Sequence, residues 1–215
     1  MRYLITRPII RLLMKPFIAG MEGMQNIPAK GGVIFAANHA SYLDHFIIGI
    51  AVSKKRREDT HTLAKKEHFA RFFERMWHQY LNAIPIDRET GGKDALNEAI
   101  TLLKKGHAIW IYPEGTRTLT GSMNRAKTGV ARLALEAHVP VIPIGLTNTF
   151  WIMPKGRHFP KFGRKAYLKV GKPLAFKAHY KMKEDKMALR KVTTRIMKKI
   201  ANLSNQEYPF DEDLA

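Results

Sequence analysis

The sequence contains no cysteine. That excludes disulfides, thiolate metal sites and a cysteine nucleophile, and it is consistent with a cytoplasmic home. No apolar run is long enough to cross a bilayer. The longest, Phe46 to Val52, falls far short of the roughly 20 residues a spanning helix needs. Acidic side chains are scarce. Lys and Arg number 37 against 18 Asp and Glu, a formal net charge of +19. Such a surface attracts polyanions: nucleic acid, an anionic bilayer or phosphorylated substrates. No nucleic-acid recognition motif accompanies the charge. Internal repeats are missing as well, and 215 residues fit one domain with short appendages.

What is present begins at the N-terminus. Residues 1–20 are apolar except for a few interspersed cations, and Arg7, Arg11 and Lys15 fall at i, i+4 and i+8. A secretory signal keeps its charges ahead of an uninterrupted apolar core, so this is not that pattern. A cationic stripe along an otherwise apolar helix is the pattern of a segment lying in a bilayer interface. A terminal helix docked on the core is the competing reading. Pro8 suits a first helical turn, and Pro16 ends or kinks the helix.

Further on, apolar runs alternate with amphipathic stretches. Strands are predicted at Val33–Ala37, Leu81–Ile86, Ala108–Tyr112, Val139–Leu146 and Ala166–Val170. Pro140 and Pro143 point to strand ends or an edge in the fourth of these. Helices are predicted over about 41–54, 66–80, 92–105, 125–138 and 182–203. Lys54-Lys55-Arg56-Arg57 closes the first helix with cations suited to a C-terminus. The alternation predicts an α/β fold, a mostly parallel sheet flanked by helices, with a short amphipathic N-terminal segment facing a membrane. The expected division is residues 1–20 as interfacial segment, 21–203 as the domain, and 204–215 as a mobile acidic tail.

Two strand ends carry candidate chemistry, where α/β sheets bind ligands. At the first stand His39 and Asp44. A histidine is poised for proton transfer near neutral pH, and a carboxylate on its far nitrogen fixes tautomer and orientation. Five residues apart on a regular helix, the two would diverge. They meet only if the strand-to-helix loop folds His39 back over the first helical turn. Ser41 and Asp44 also have capping-box spacing, so a plain helix cap competes. A metal site from His39, Asp44 and His45 is disfavoured because adjacent helical side chains diverge. At the second strand end stand Glu114, Gly115, Thr116 and Arg117. Gly115 permits close backbone approach, and Arg117 offers a planar fork for phosphate. Lys127 at the next helix start, and Arg88 after the second strand, can add cations to one phosphate.

In order, these residues make a pattern. Asn38-His39-x4-Asp44, Ile84-Pro85-Ile86-Asp87-Arg88, Pro113-Glu114-Gly115-Thr116-Arg117 and Val139-Pro140-x-x-Pro143 together resemble the glycerolipid acyltransferase family, typified by 1-acyl-sn-glycerol-3-phosphate acyltransferases. One departure is Arg125-Ala126-Lys127-Thr128-Gly129, where the family often has Phe-Lys-x-Gly. The resemblance implies His39 as general base with Asp44 as its partner. Glu114 to Arg117 would bind the acceptor, with Arg88 and Lys127 near its phosphate. It implies acylation of lysophosphatidate, or alternatively of glycerol 3-phosphate or another lysophospholipid. The donor would be acyl-CoA or an acyl carrier protein as co-substrate, with no cofactor and no metal. The expected partner is an anionic membrane surface, met at its cytoplasmic face by a peripheral or monotopic protein, and not nucleic acid. Lys155, Arg157, Lys161, Arg164 and Lys165, with Phe159 and Phe162, suit a headgroup layer. A non-catalytic lipid-binding or nucleic-acid-binding protein is the alternative of a different class.

Overall fold

The computed structural model describes residues 3–56, 60–70, 72–87 and 92–210. These residues form a seven-stranded sheet with helices on both faces. The strands are β1 (Ile18–Glu22), β2 (Val33–Ala37), β3 (Thr60–Lys65), β4 (Ala83–Ile86), β5 (Ala108–Ile111), β6 (Val141–Thr147) and β7 (Ala166–Val170). The helices are α1 (Tyr3–Met14), α2 (Asp44–Ser53), α3 (Phe72–Tyr80), α4 (Lys93–Lys104), α5 (Gly129–Ala137), α6 (Thr149–Ile152) and α7 (Lys186–Ser204). Sheet order is β1-β7-β6-β2-β5-β3-β4. The sheet is mixed. Described pairings are parallel except β6 with β7, which is antiparallel.

Central strands read as unbroken apolar runs because both of their faces are covered. The two-residue strand period sends Ile34 and Ala36 towards α4, α5 and α7, while Val33, Phe35 and Ala37 turn towards α2. Ile109 and Trp110 divide in the same way. On the first face α7 lies across β6. Gly145 makes that approach possible, since a Cβ there would sit 2.4 Å from the Leu203 carbonyl carbon. Asp185 caps α7 by accepting from the Met187 and Ala188 amides, so the last predicted helix starts at 186.

Several expectations need correction. The strands β1 and β3 are not anticipated by hydrophobic pattern. The sequence Thr-His-Thr-Leu-Ala-Lys of β3 is too polar to announce itself, and only Thr62 on it is buried. Pro143 is neither at a strand end nor on an edge; it lies inside β6, an interior strand. Its carbonyl accepts from the Gly171 amide. The missing N–H would face that same side, where pairing with β7 only begins at Ile144. The span 66–80 divides into a 3₁₀ turn at Lys66–Phe69 and α3, with Phe72 and Met76 exposed. Pro8 lies inside α1 beyond its first turn, and Pro16 falls in a 3₁₀ turn, Lys15–Phe17.

Arg56 is not an exposed cation at a helix end. It is 1% exposed, and its guanidinium donates to the Pro28 and Gly106 carbonyls at 3.2 and 3.3 Å. It ties the loops that precede β2 and β5. The terminal tail is held as far as Phe210. Tyr208 is buried, its hydroxyl accepts from the Ala126 amide at 3.0 Å, and Gln206 donates to the Gly121 carbonyl at 2.7 Å. Residues 211–215 lie outside the described residues, as do Arg57 and Arg88.

Candidate active site

Strand register builds the centre of the site. In the parallel pair β2–β5, Ala36 lies beside Ile111. Continuing that register three residues beyond this pair brings His39 opposite Glu114. The contact is direct: the His39 amide donates to Glu114 Oε1 at 2.8 Å. One residue outward from the strand pairing, the Asn38 side chain does the work of a further strand residue. Its amide donates to the Leu146 carbonyl at 2.9 Å and accepts from the Leu146 amide at 2.8 Å. The end of β2 is therefore clamped to β5 on one side and β6 on the other.

The turn after β2 folds His39 back onto α2. His39 Nδ1 meets Asp44 Oδ2 at 2.8 Å, and the same oxygen accepts from the Ala40 and Ser41 amides, both at 2.8 Å. Asp44 is completely buried. The helix α2 starts at Asp44 with Leu43 as its N-cap and no side-chain cap, so Ser41 does not open it as a capping box; Asp44 instead reaches back from the first helical position to bind the turn. Ser41 Oγ donates to the Met153 carbonyl at 2.8 Å and accepts from the Leu43 amide at 3.1 Å. Because Nδ1 is engaged by a carboxylate, it carries the proton, and Nε2 is left as an acceptor. Among the described residues Nε2 has no hydrogen-bond partner. Beneath the imidazole lies Tyr112, stacked at 3.8 Å between centroids with 12° between planes. Tyr112 is buried, and its hydroxyl lies 3.3 Å from His45 Nδ1. Burial, then the Asp44 charge, raises its phenol pKa well above 10, with Arg117 opposing. It stays neutral at any physiological pH.

Glu114 is 4% exposed and its two oxygens point opposite ways. Oε1 takes the His39 amide, and Oε2 takes the Asn124 amide at 2.6 Å. Burial pushes its carboxyl up to about 7, against the two backbone bonds that favour the anion, with Asp44 adding to the rise. Glu114 thus joins both ends of the loop from Pro113 to Lys127 to the base of His39. The loop is tightened by the Lys127 amide on the Pro113 carbonyl at 2.9 Å, and by the Thr118 amide on the His39 carbonyl at 3.0 Å. Gly115 has φ +71°, a conformation natural only to glycine.

The other expected residues divide. Arg117 is brought to the site: its guanidinium carbon lies 3.5 Å from the centroid of the Tyr42 ring, two residues before Asp44. Thr116 and Lys127 are exposed on the loop. Lys127-Thr128 lead directly into α5, as expected. His45 does not converge with His39 and Asp44 as a metal cluster would. Its ring stands edge-on to both His39 and Tyr112. Sequence reasoning missed Tyr112, Asn124 and Tyr42. Tyr112 had a signal, since β2 and β5 in register place it one pleat from His39. Asn124 reaches Glu114 through its backbone amide and its side chain, ten residues along the chain, and no local pattern reveals that.

Residues 19–147 match the family described as Acyltransferase. The chain belongs to that family. The enzyme is 29% identical over 184 residues to the 1-acyl-sn-glycerol-3-phosphate acyltransferase of Bacillus subtilis strain 168, covering 85% of this chain and 87% of that one. It is 28% identical over 165 residues to the chloroplastic 1-acyl-sn-glycerol-3-phosphate acyltransferase BAT2 of Brassica napus, covering 69% of this chain and 46% of that relative, less than half its length. A crystal structure of the 1-acyl-sn-glycerophosphate (LPA) acyltransferase PlsC from Thermotoga maritima superposes with a TM-score of 0.69 at 27% identity. It covers 92% of this chain and 79% of that one. The enzyme is therefore an acyltransferase related to those of phospholipid synthesis.

Proposed function

We propose that the enzyme acylates the free hydroxyl of lysophosphatidate, using an acyl thioester as donor and giving phosphatidate. The observation that carries this reading is the buried His39–Asp44 pair, next to an arginine, with neither Nε2 nor the guanidinium hydrogen-bonded among the described residues. Nε2 takes the proton of the acceptor hydroxyl as its oxygen bonds to the thioester carbon. The tetrahedral intermediate then collapses, the carbon–sulfur bond breaks, and the imidazolium returns the proton to the departing thiolate. Asp44 stabilises the imidazolium between these steps. No acyl-enzyme is needed, and no cofactor takes part in any step.

Arg117 is assigned to the acceptor phosphate, with Lys127 and the α5 N-terminus as further positive charge at the loop's neck. Thr116 lines the same exposed loop. Glu114 and Gly115 serve by shaping it: the glutamate spends both oxygens on backbone amides, so it holds the acceptor site together instead of touching the acceptor. Arg88 is assigned to the phosphate on its motif alone.

The working surface is taken to be a membrane's anionic, cytoplasmic face. No helix among the described residues is long and apolar enough to cross a bilayer. Ile9, Leu12 and Leu13, three and four apart on one face of α1, are exposed. Phe159 and Phe162 are 80% and 71% exposed in the loop rich in Lys and Arg. The second patch touches the turn that follows α1, since the buried Phe17 ring lies 5.1 Å from that of Phe162. Apolar groups at this exposure between cations fit an anionic interface. The reading is tested with purified protein, labelled acyl-CoA or acyl carrier protein, and vesicles holding lysophosphatidate, glycerol 3-phosphate or lysophosphatidylcholine. Phosphatidate from lysophosphatidate alone is the expected result. Turnover on another acceptor reassigns the substrate, and lipid binding without product removes the catalytic reading.

A further inference from the structure

Tyr42 occupies a position of the His-x4-Asp turn that the proton relay does not use. What it does use is Arg117. The guanidinium makes no salt bridge or hydrogen bond among the described residues, although the chain offers Glu114 only three positions away. Glu114 does not compete, because both its oxygens are committed to the His39 and Asn124 amides. The close neighbour of Arg117 is the face of the Tyr42 ring, 3.5 Å away. One face of the guanidinium is thereby covered, and the N–H donors at its edge remain uncommitted.

The ring sits on a rigid mount. The Tyr42 amide donates to the Met153 carbonyl at 3.1 Å. Ser41 on one side bonds the same carbonyl, and Leu43 on the other is buried against the sheet. Tyr42 and Asp44 thus share one short turn. A phosphate monoester and a hydroxyl on the same small acceptor are a few bonds apart, so the groups that receive them need a fixed spacing. An arginine side chain is long and rich in rotamers, and ordering it on binding costs affinity. A ring anchored beside the catalytic pair removes part of that cost before the acceptor arrives.

We propose that Tyr42 is a positioning residue for the acceptor: its ring holds the Arg117 guanidinium, at a set distance from His39, in the orientation that receives the acceptor phosphate. This rests on the assignment of Arg117 to that phosphate. The ring face is what acts, and the phenol hydroxyl is dispensable.

Steady-state kinetics with lysophosphatidate and acyl-CoA tests it in five variants. Tyr42→Ala and Tyr42→Leu should each raise the KM for lysophosphatidate about fivefold, with kcat changed much less and the KM for acyl-CoA unmoved. The leucine variant fills the volume without a π face, so it separates stacking from packing. Tyr42→Phe should recover most of the lost acceptor affinity. Combined with Arg117→Ala, Tyr42→Ala should add almost nothing beyond Arg117→Ala alone. Full lysophosphatidate affinity in both Tyr42→Ala and Tyr42→Leu, alongside a raised KM in Arg117→Ala, overturns the role of Tyr42. So does an additive loss in the double variant. An Arg117→Ala enzyme with unchanged KM for lysophosphatidate, or with a raised KM for acyl-CoA alone, overturns the phosphate assignment beneath it.

Discussion

The turn from Asn38 to Asp44 and the loop from Met153 to Lys165 meet at the Met153 carbonyl, yet they are built in opposite ways. In the turn, one carboxylate oxygen collects three donors at 2.8 Å, and Asn38, His39, Ser41 and Asp44 are all buried. In the loop, Phe159 and Phe162 stand in solvent, and the Arg157 guanidinium donates to the Phe159 carbonyl two residues on. A proton relay needs dipoles fixed before the substrate arrives, and three bonds on the buried Asp44 Oδ2 supply that, while Oδ1 is buried without a partner among the described residues. A surface that meets lipid needs apolar area and charge on display, and internal bonds would consume both. Under the proposed function, the two regions separate chemistry from docking.

The largest expected effect lies in the turn. His39→Ala should lower kcat by roughly 100- to 10,000-fold while the melting temperature stays close to wild type. A variant retaining a tenth of wild-type kcat would sink the assignment of His39 as base. Asp44→Ala should cost activity and stability together, because the Ala40 and Ser41 amides lose their acceptor inside the protein, at about 1–3 kcal/mol each. Denaturant titration of the two variants side by side checks this. If both are equally stable, the turn is not held as described.

Glu114 offers a test by pH. Its carboxyl is raised to about 7 in the folded chain from 4.5, so between those values the native state binds more protons than the unfolded state. Its contribution is complete below 4.5 and is lost as pH climbs through about 7, by at most ~3 kcal/mol. Glu114→Gln should flatten the fall in stability between pH 5 and pH 8. An equal slope in both proteins would show that burial does not govern this carboxyl. The smallest effect belongs to the loop. Phe159→Ser with Phe162→Ser should weaken binding to anionic vesicles about tenfold. Activity on a soluble short-chain acceptor should fall far less than activity on vesicles. Equal losses on both would merge the two regions that the structure keeps apart.

How much of this was written in the sequence depends on range. Val33–Ala37, Ala108–Ile111 and α4 follow from local periodicity, and all are found within a residue or two. The His39–Asp44 contact was legible because both partners lie in one turn that could only work by folding back. Glu114 was singled out for its charge beside Arg117; that its two oxygens accept the distant His39 and Asn124 amides depends on the fold. Tyr112, Asn124 and the burial of Arg56 depend on strands and loops brought together from distant parts of the chain. Pro143 misled because an N–H is dispensable wherever a neighbouring ladder has not yet begun. The strand β1 hid behind a segment whose cations and apolar residues already suggested a membrane helix.

That strand has a consequence for how the molecule is made. Its partner along the sheet is β7, and the Glu22 carboxylate accepts from the Tyr167 hydroxyl 145 positions later. A ribosome adds ~5–20 residues per second, so on the order of ten seconds separate the synthesis of β1 from that of its neighbour. Throughout that interval β1 has no neighbouring strand to join, while the central strands β2, β5 and β3 can already pair. Assembly of the sheet therefore runs from the middle outward, and its β1 edge is the last part to be fastened.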